Sequence, residues 1–366
     1  MNKIFKVIWS KSKQCYVVVS EMAKNKTGKK KIVVASILAA LAIQTAGVID
    51  VAAAVGDQPS AAYANGTVAS GKTNGLAIGN FASSGSNQSI AIGYYSVATA
   101  TEADPALPAT AVGAGANATG QSTVALGLLA QATSGSTTAL GAKSVASEDA
   151  AVAVGYGTKA TGNYASALGA DATASNNDAT AFGHGTVASG GSSTALGSRA
   201  KAGGTAGVGI GMLANATNQY GVAIGGESSS SADNSIAIGR KSSVTGESGI
   251  AIGAFTTSKG ANGVAVGTNG TKSDLGGVAV GQAAQSIAFN SVATGMNVTA
   301  KGANSVALGA SATANDDGTI AIGSYGSTPT KATGNRALAI GSATTANGLE
   351  SIAIGSRVNS TSQHSI

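Results

Sequence analysis

Ser235-Ile236-Ala237-Ile238-Gly239 is one of 20 copies of a single pattern: an apolar residue, a small one, a second apolar residue and a glycine. The closing glycines run from Gly79 and Gly93 through Gly113, Gly127 and Gly141 to Gly341 and Gly355. Every step is of the same fourteen-residue length, as from Gly225 to Gly239, except those from Gly93 to Gly113 and from Gly323 to Gly341. Those two hold six and four more. A short fixed period is the mark of a solenoid, in which each repeat buries its faces only against its neighbours. It argues against a chain divided into separate globular domains.

Each repeat is numbered here from its closing glycine as position 0. Large apolar residues then occupy −3 and −1, as in Val278 and Val280, with alanine between them at −2 in nearly every copy. This alternation of β-branched and small residues predicts a strand with one bulky and one small face. Five residues after the glycine comes a second small residue, such as Ala118, Ala146, Ala160, Ala188 or Ala300. Glycine often follows two residues later (Gly120, Gly162, Gly190, Gly302), where positive φ is expected at a turn. Each coil is thus predicted to hold two short strands and two tight turns.

Positions −4 to 0 carry no charge in any copy, although a chain that is 10% charged would place about ten there. Lys143, Glu148, Asp149, Lys159, Lys201, Asp316 and Asp317 fall instead on the turns and the second strand. One strand per coil is therefore expected to be buried and the other solvated. Two apolar side chains per coil are too little burial to offset the conformational entropy lost when a whole coil is ordered. The apolar strand faces of several chains are accordingly expected to pack together. The alternative places −3 and −1 inside the roll with alanine facing its neighbours.

Composition narrows the class. With 53 glycines and 4% aromatic residues in 366, the chain is too poor in large side chains for a thick core. Collagen is excluded, because glycine does not fall at every third position. The net charge of +6 is confined to one end: nine of the 22 basic and two of the 16 acidic residues lie in 1–54, leaving 13 and 14 beyond. The repeats therefore give no support for a nucleic-acid partner. Cys15, the single cysteine, lies in the same N-terminal part, so thiol chemistry and disulfides are not expected of the mature chain.

Residues 32–43, IVVASILAALAI, follow the basic cluster Lys29-Lys30-Lys31. That run is too short for a membrane-spanning helix, which needs about 20 residues. The pattern predicts a helical signal segment for the Sec export machinery, with cleavage after Ala54, or alternatively after Ala64. Residues 1–54 are read as the signal peptide, 55–64 as a linker and 65–366 as the repeat region.

Two stretches carry a family resemblance. Met1-Asn2-Lys3-Ile4-Phe5-Lys6-Val7-Ile8-Trp9-Ser10, with Val17-Val18-Val19-Ser20-Glu21, resembles the extended signal peptide region of Gram-negative autotransporters. Asn304-Ser305-Val306-Ala307-Leu308-Gly309 and Asn234-Ser235-Ile236-Ala237-Ile238-Gly239 resemble the YadA-like head repeats of trimeric autotransporter adhesins, a likeness that runs through the whole repeat region. The resemblance implies an all-β fold, a left-handed parallel β-roll of about 20 coils. It also implies a homotrimer displayed on the cell surface and outer membrane of a Gram-negative-type bacterium. No heptad stalk or C-terminal barrel segment is seen, and Ile366 stands at −3 of a further copy, so the chain is read as a fragment.

No catalytic, cofactor-binding or metal-binding residues are expected. His184 and His364 lie many repeats apart, and Glu148-Asp149 and Asp316-Asp317 sit on turns. Gly207-Val208-Gly209-Ile210-Gly211 is a repeat with glycine at −2, lacking the strand–helix unit of a dinucleotide loop. The two insertions are expected to bulge, presenting Glu102, Asp104, Pro105 and Pro108, or Tyr325, Pro329, Lys331 and Arg336. Tyr94, Tyr95, Tyr156, Phe255 and Tyr325 follow closing glycines, as a contact stripe or a cover for the coil edge. The expected function is a non-enzymatic adhesin head that attaches multivalently to host extracellular matrix protein or a cell-surface receptor. The alternative is a spacer or shield displaying another binding domain.

Overall fold

The computed structural model describes residues 5–10, 15–20, 61–63, 67–68, 74–100, 107–323 and 328–366. It divides into two units, Met1–Asp50 and Val51–Ile366. In the first, strands Phe5–Ser10 and Cys15–Ser20 pair antiparallel, with Phe5 opposite Ser20 and Ser10 opposite Cys15. The helix expected over 32–43 and both cleavage candidates, Ala54 and Ala64, lie outside the described residues.

The second unit is the solenoid. Its described residues hold 21 three-residue strands, from Ala61–Tyr63 to Ile352–Ile354, and 21 two-residue strands, from Thr67–Val68 to Asn359–Ser360. Long strands pair only with long strands and short with short, always parallel, as in Ile236↔Ile250, Ala237↔Ala251 and Ile238↔Ile252. At about 4.8 Å per rung, 21 coils extend on the order of 100 Å. The ladder begins at Ala61, paired with Leu76, inside the stretch read as a linker.

Turns join the ladder as well as strands. In the coil of Gly239, Ile236 N–H donates to Gly249 O at 2.9 Å and Ser243 N–H to Thr256 O at 2.9 Å. The turn residues Lys241 and Ser248 donate backward, to Gly226 O and Asp233 O, each at 2.9 Å. Each such bond contributes a net ~0.5–1.5 kcal/mol, so coil-to-coil bonding supplies much of what a thin core lacks.

That core is made of small residues. Position −2 is buried throughout, as at Ala237, Ala251 and Ala307, and so is +5, as at Ala118, Ala146 and Ala300. Positions +3 and −4 complete the interior with Ala, Ser and Thr, for example Thr256 and Ser235. The larger residues at −3 and −1 point outward, which excludes the arrangement with −3 and −1 inside. It also corrects the expectation of one buried and one solvated strand. Both strands bury a small face and expose the other, as Ile236–Ile238 and Thr299–Ala300 show.

Buried hydroxyls are satisfied locally. Ser96 and Ser144 at +3 donate to the closing glycine of their own coil, at 3.0 and 2.8 Å. Thr158 and Thr186 reach the closing glycine of the next, at 2.7 and 2.8 Å. Facing pairs also compensate in volume. Ser230 and Ser235 hydroxyls meet at 2.6 Å. Val244 instead faces Gly249, where an added Cβ would lie 2.8 Å from the valine methyl.

The closing glycine is required twice over. Gly239 has φ +129°, a conformation all but reserved for glycine, and a Cβ there would lie 2.5 Å from Gly253 O in the next coil. The glycines at +7 need correction. Gly162 and Gly302 are absent from the positive-φ residues, and what demands them is space: an added Cβ would collide with Asn176 O or Asp316 O. Left-handed φ falls instead at +2 and +9, on residues such as Lys143, Phe255, Tyr164 and Asn304.

The insertions occupy different turns. The six extra residues lie after the short strand Val97–Ala98, and the four extra residues after the long strand Ile320–Ile322. Glu102, Asp104, Pro105 and Tyr325 lie outside the described residues, while Pro108 and Pro329 are partly buried. Lys331 opens the short strand Lys331–Ala332 and Arg336 lies in the following turn, so neither belongs to the insertion. A third irregularity is concealed by the constant period. Thr257 pairs with Lys272 and Lys272 with Gln285, so the short-strand register lengthens by one position and then shortens by one. One turn gains a residue at Gly270 and the next gives it back.

Candidate interaction surfaces

The roll has two outward sheet faces and two edges of turns. Along the long-strand face run the −3 and −1 side chains, such as Val222 and Ile224, then Ile236 and Ile238, on every rung. Most are partly buried by their neighbours; Phe182 and Ile354 remain 47% and 61% exposed. A single chain of this length thereby leaves a continuous apolar strip, longer than the patches monomeric proteins usually expose. Along the short-strand face, position +4 reads Lys159, Thr173, Val187, Lys201, Asn215, Ser229 and Ser243. That face is polar.

The first-turn edge carries the expected aromatics, but not as one stripe. Phe81 stacks on Tyr95 at 4.6 Å between ring centroids, and Tyr94 meets Tyr95 edge-on at 4.5 Å. Desolvation, then the adjacent Tyr95, raises the Tyr94 phenol above its ordinary pKa. Tyr156 and Phe255 stand coils away. Lys143 lies 5.7 Å from the Tyr156 ring and Arg240 4.5 Å from that of Phe255, each cation coming from the preceding coil. Leu128, Leu129, Met212 and Leu213 share the edge and are also exposed. Their positions, +1 and +2, were the available signal in the sequence.

On the second-turn edge, the acidic residues bind coil to coil. Asp149 Oδ1 accepts from Gly135 N–H at 3.1 Å and from the Ser134 hydroxyl. Asp317 Oδ1 accepts from Ala303 N–H at 2.8 Å, and Asp233 Oδ1 from Gln219 N–H at 3.1 Å. In each case a carboxylate at +8 satisfies the +8 amide of the coil before it. Glu350 bridges two neighbours, accepting from Arg336 at 2.9 Å and lying 3.2 Å from His364 Nε2. His184 is exposed on the first-turn edge. Among the described residues, no three His, Cys, Asp or Glu side chains come together as metal ligands would. Gly209 lies in an ordinary long strand, Val208–Ile210, of the ladder.

These features define a parallel β-solenoid with one apolar and one polar outer face, built to present surface rather than to enclose a substrate. Residues 1–48 match the family described as the Extended Signal Peptide of Type V secretion system. Nine segments between 70 and 357 match the YadA head domain repeat (2 copies), among them 132–158, 160–186, 216–242 and 332–357. Together they span more than half of the chain, and the chain belongs to the YadA head-repeat family. No curated protein matches it. It is thus a trimeric autotransporter adhesin-like surface protein of exported, autotransporter type. The family is one of adhesins, and membership implies self-association and export through the signal peptide.

Proposed function

We propose that the rod is a homotrimeric adhesin head that attaches a bacterium to host extracellular matrix protein or a cell-surface receptor. The observation that carries this reading is the opposition of its two outer faces. An apolar strip on every rung is a surface to be covered, and further copies of the same chain offer a matching strip in the same register. Three chains joined there leave the polar strands and both turn edges outward, repeated coil after coil. Weak contacts repeated on three chains gain avidity without a deep pocket.

Attachment is tested by comparing cells that display the rod with cells in which the gene is deleted, on immobilised matrix proteins and on host cells. Loss of attachment on deletion is expected; unchanged attachment would count against adhesion. Cleavage after Ala54 keeps the coil formed by Ala61–Tyr63 and Thr67–Val68, whereas cleavage after Ala64 would remove its long strand. Mass spectrometry of the exported chain distinguishes the two, with Val51-Ala52-Ala53-Ala54 absent from the expected product.

A further inference from the structure

A cleft of about 620 Å³ opens on the second-turn edge, lined by Gln121, Thr133, Gly135, Ser136, Asp149 and Tyr164 among others. That volume is within the ~300–1,000 Å³ of small-molecule sites. Its cause is a missing side chain. Down the +8 column the residues read Gln121, Gly135, Asp149 and Asn163, so glycine interrupts a run of polar side chains. Unlike Gly239, Gly135 is not among the positive-φ glycines, and a Cβ there would meet only Asp149, at 3.4 Å from Oδ1. The backbone does not require this glycine, and its effect is to leave space.

What surrounds that space is chemically specific. Asp149 Oδ1 is engaged by Ser134 and Gly135, while among the described residues no group donates to Oδ2. Tyr164, 65% exposed, brings an aromatic ring to the cleft from the next coil. The Gln121 amide and the Thr133 and Ser136 hydroxyls can each donate or accept. Asp149 is the one charged group in the lining, which disfavours a phosphate or other anion and is too few ligands for a metal ion.

We propose that this cleft binds a neutral saccharide. An aromatic face receives the C–H face of a pyranose through its negative quadrupole. A carboxylate oxygen with free lone pairs accepts from sugar hydroxyls in a charge-assisted bond. The flanking amide and hydroxyls suit the mixed donors and acceptors of the remaining ring positions. A shallow cleft of this kind binds weakly, and a multimeric rod would multiply it. The site deepens the attachment reading by naming a ligand class, yet the two can fail separately.

Four coils further on, Gly191 opens the same column, with Thr205 in place of Asp149 and Tyr220 in place of Tyr164. An added Cβ at Gly191 meets nothing within 4 Å. That notch lacks the carboxylate and serves as an internal control.

The test is saturation-transfer NMR on the full chain with millimolar methyl glucoside, methyl galactoside, N-acetylglucosamine and lactose. Transfer to at least one of them is expected. It should fall at least tenfold in Tyr164→Ala and in Gly135→Asn, which fills the gap, and persist in Gly191→Asn. Circular dichroism unchanged from the parent chain verifies that each variant keeps its fold. No transfer to any of the four sugars, or transfer unaffected by Gly135→Asn, would overturn the proposal. A chain that binds no sugar but still attaches to cells overturns the cleft alone and leaves the adhesin reading standing.

Discussion

The two strands of each coil are alike inside and opposite outside. Inward, Ala237 on the long strand and Ala300 on a short one are both fully buried. Outward, the long strand shows Ile236 and Ile238, whereas short strands show Ser243, Lys159 or Lys201. The difference teaches what the charge-free positions are for. Within one chain, burial accounts for −4 and −2 but not for −3 and −1, which stand on the surface. Absence of charge there answers to a partner surface, not to the roll's own interior.

The strongest way to break this comparison is to place the same charge on each face. Ile238→Lys should abolish self-association, because an uncompensated ammonium would be buried once per chain at several kcal/mol each. Ser243→Lys should leave association unchanged and stability within about 0.5 kcal/mol, since lysine already occupies this position at Lys159 and Lys201. Size-exclusion chromatography with light scattering separates the outcomes. Equal effects from the two lysines would remove the distinction between faces.

The inward half of the comparison predicts equivalence. Ala251→Leu on a long strand and Ala300→Leu on a short one should each destabilise by about 1–3 kcal/mol or more, as overpacking of a close-packed interior does. Thermal unfolding should show comparable losses from both. A large effect from one and none from the other would mean that only one strand lines the core.

A smaller effect sharpens the account of packing. Gly249→Ala should cost about 1–3 kcal/mol through its clash with Val244. Adding Val244→Ala should recover part of that loss, although valine truncation alone is destabilising. A double-mutant cycle in urea measures the coupling, and strict additivity would mean that the two residues do not share space.

Much of this architecture was legible in the sequence because a solenoid repeats its constraints. The period located every closing glycine, and alternation located the long strands. Alternation alone left the inward face open, since alanine and isoleucine are both apolar and a strand of period 2 permits either orientation. The structure resolves it through the short strands: Ala118 or Ala300 can face Ala111 or Ala307 only across a thin interior.

The turns were harder to read. Left-handed residues at +2 and +9 are hidden behind ordinary side chains such as Lys143, Tyr164 and Glu350, held there by bonds to the adjacent coils. The glycines at +7 signalled a special need but not which one, for close approach and positive φ select the same residue. The shift between Gly267 and Gly277 left the period intact and so left no trace in the spacing. Of the contact surfaces, the aromatics were visible as residue types. The coil-to-coil role of Asp149, Asp233 and Asp317 depends on stacking and had to be seen in three dimensions.

The central claim is that the long-strand face is a surface shared between copies of this chain. Sedimentation equilibrium of the exported chain at micromolar concentration tests it most directly. A single species of three times the chain mass, stable to dilution, is the predicted result. A stable, folded monomer at that concentration would contradict it.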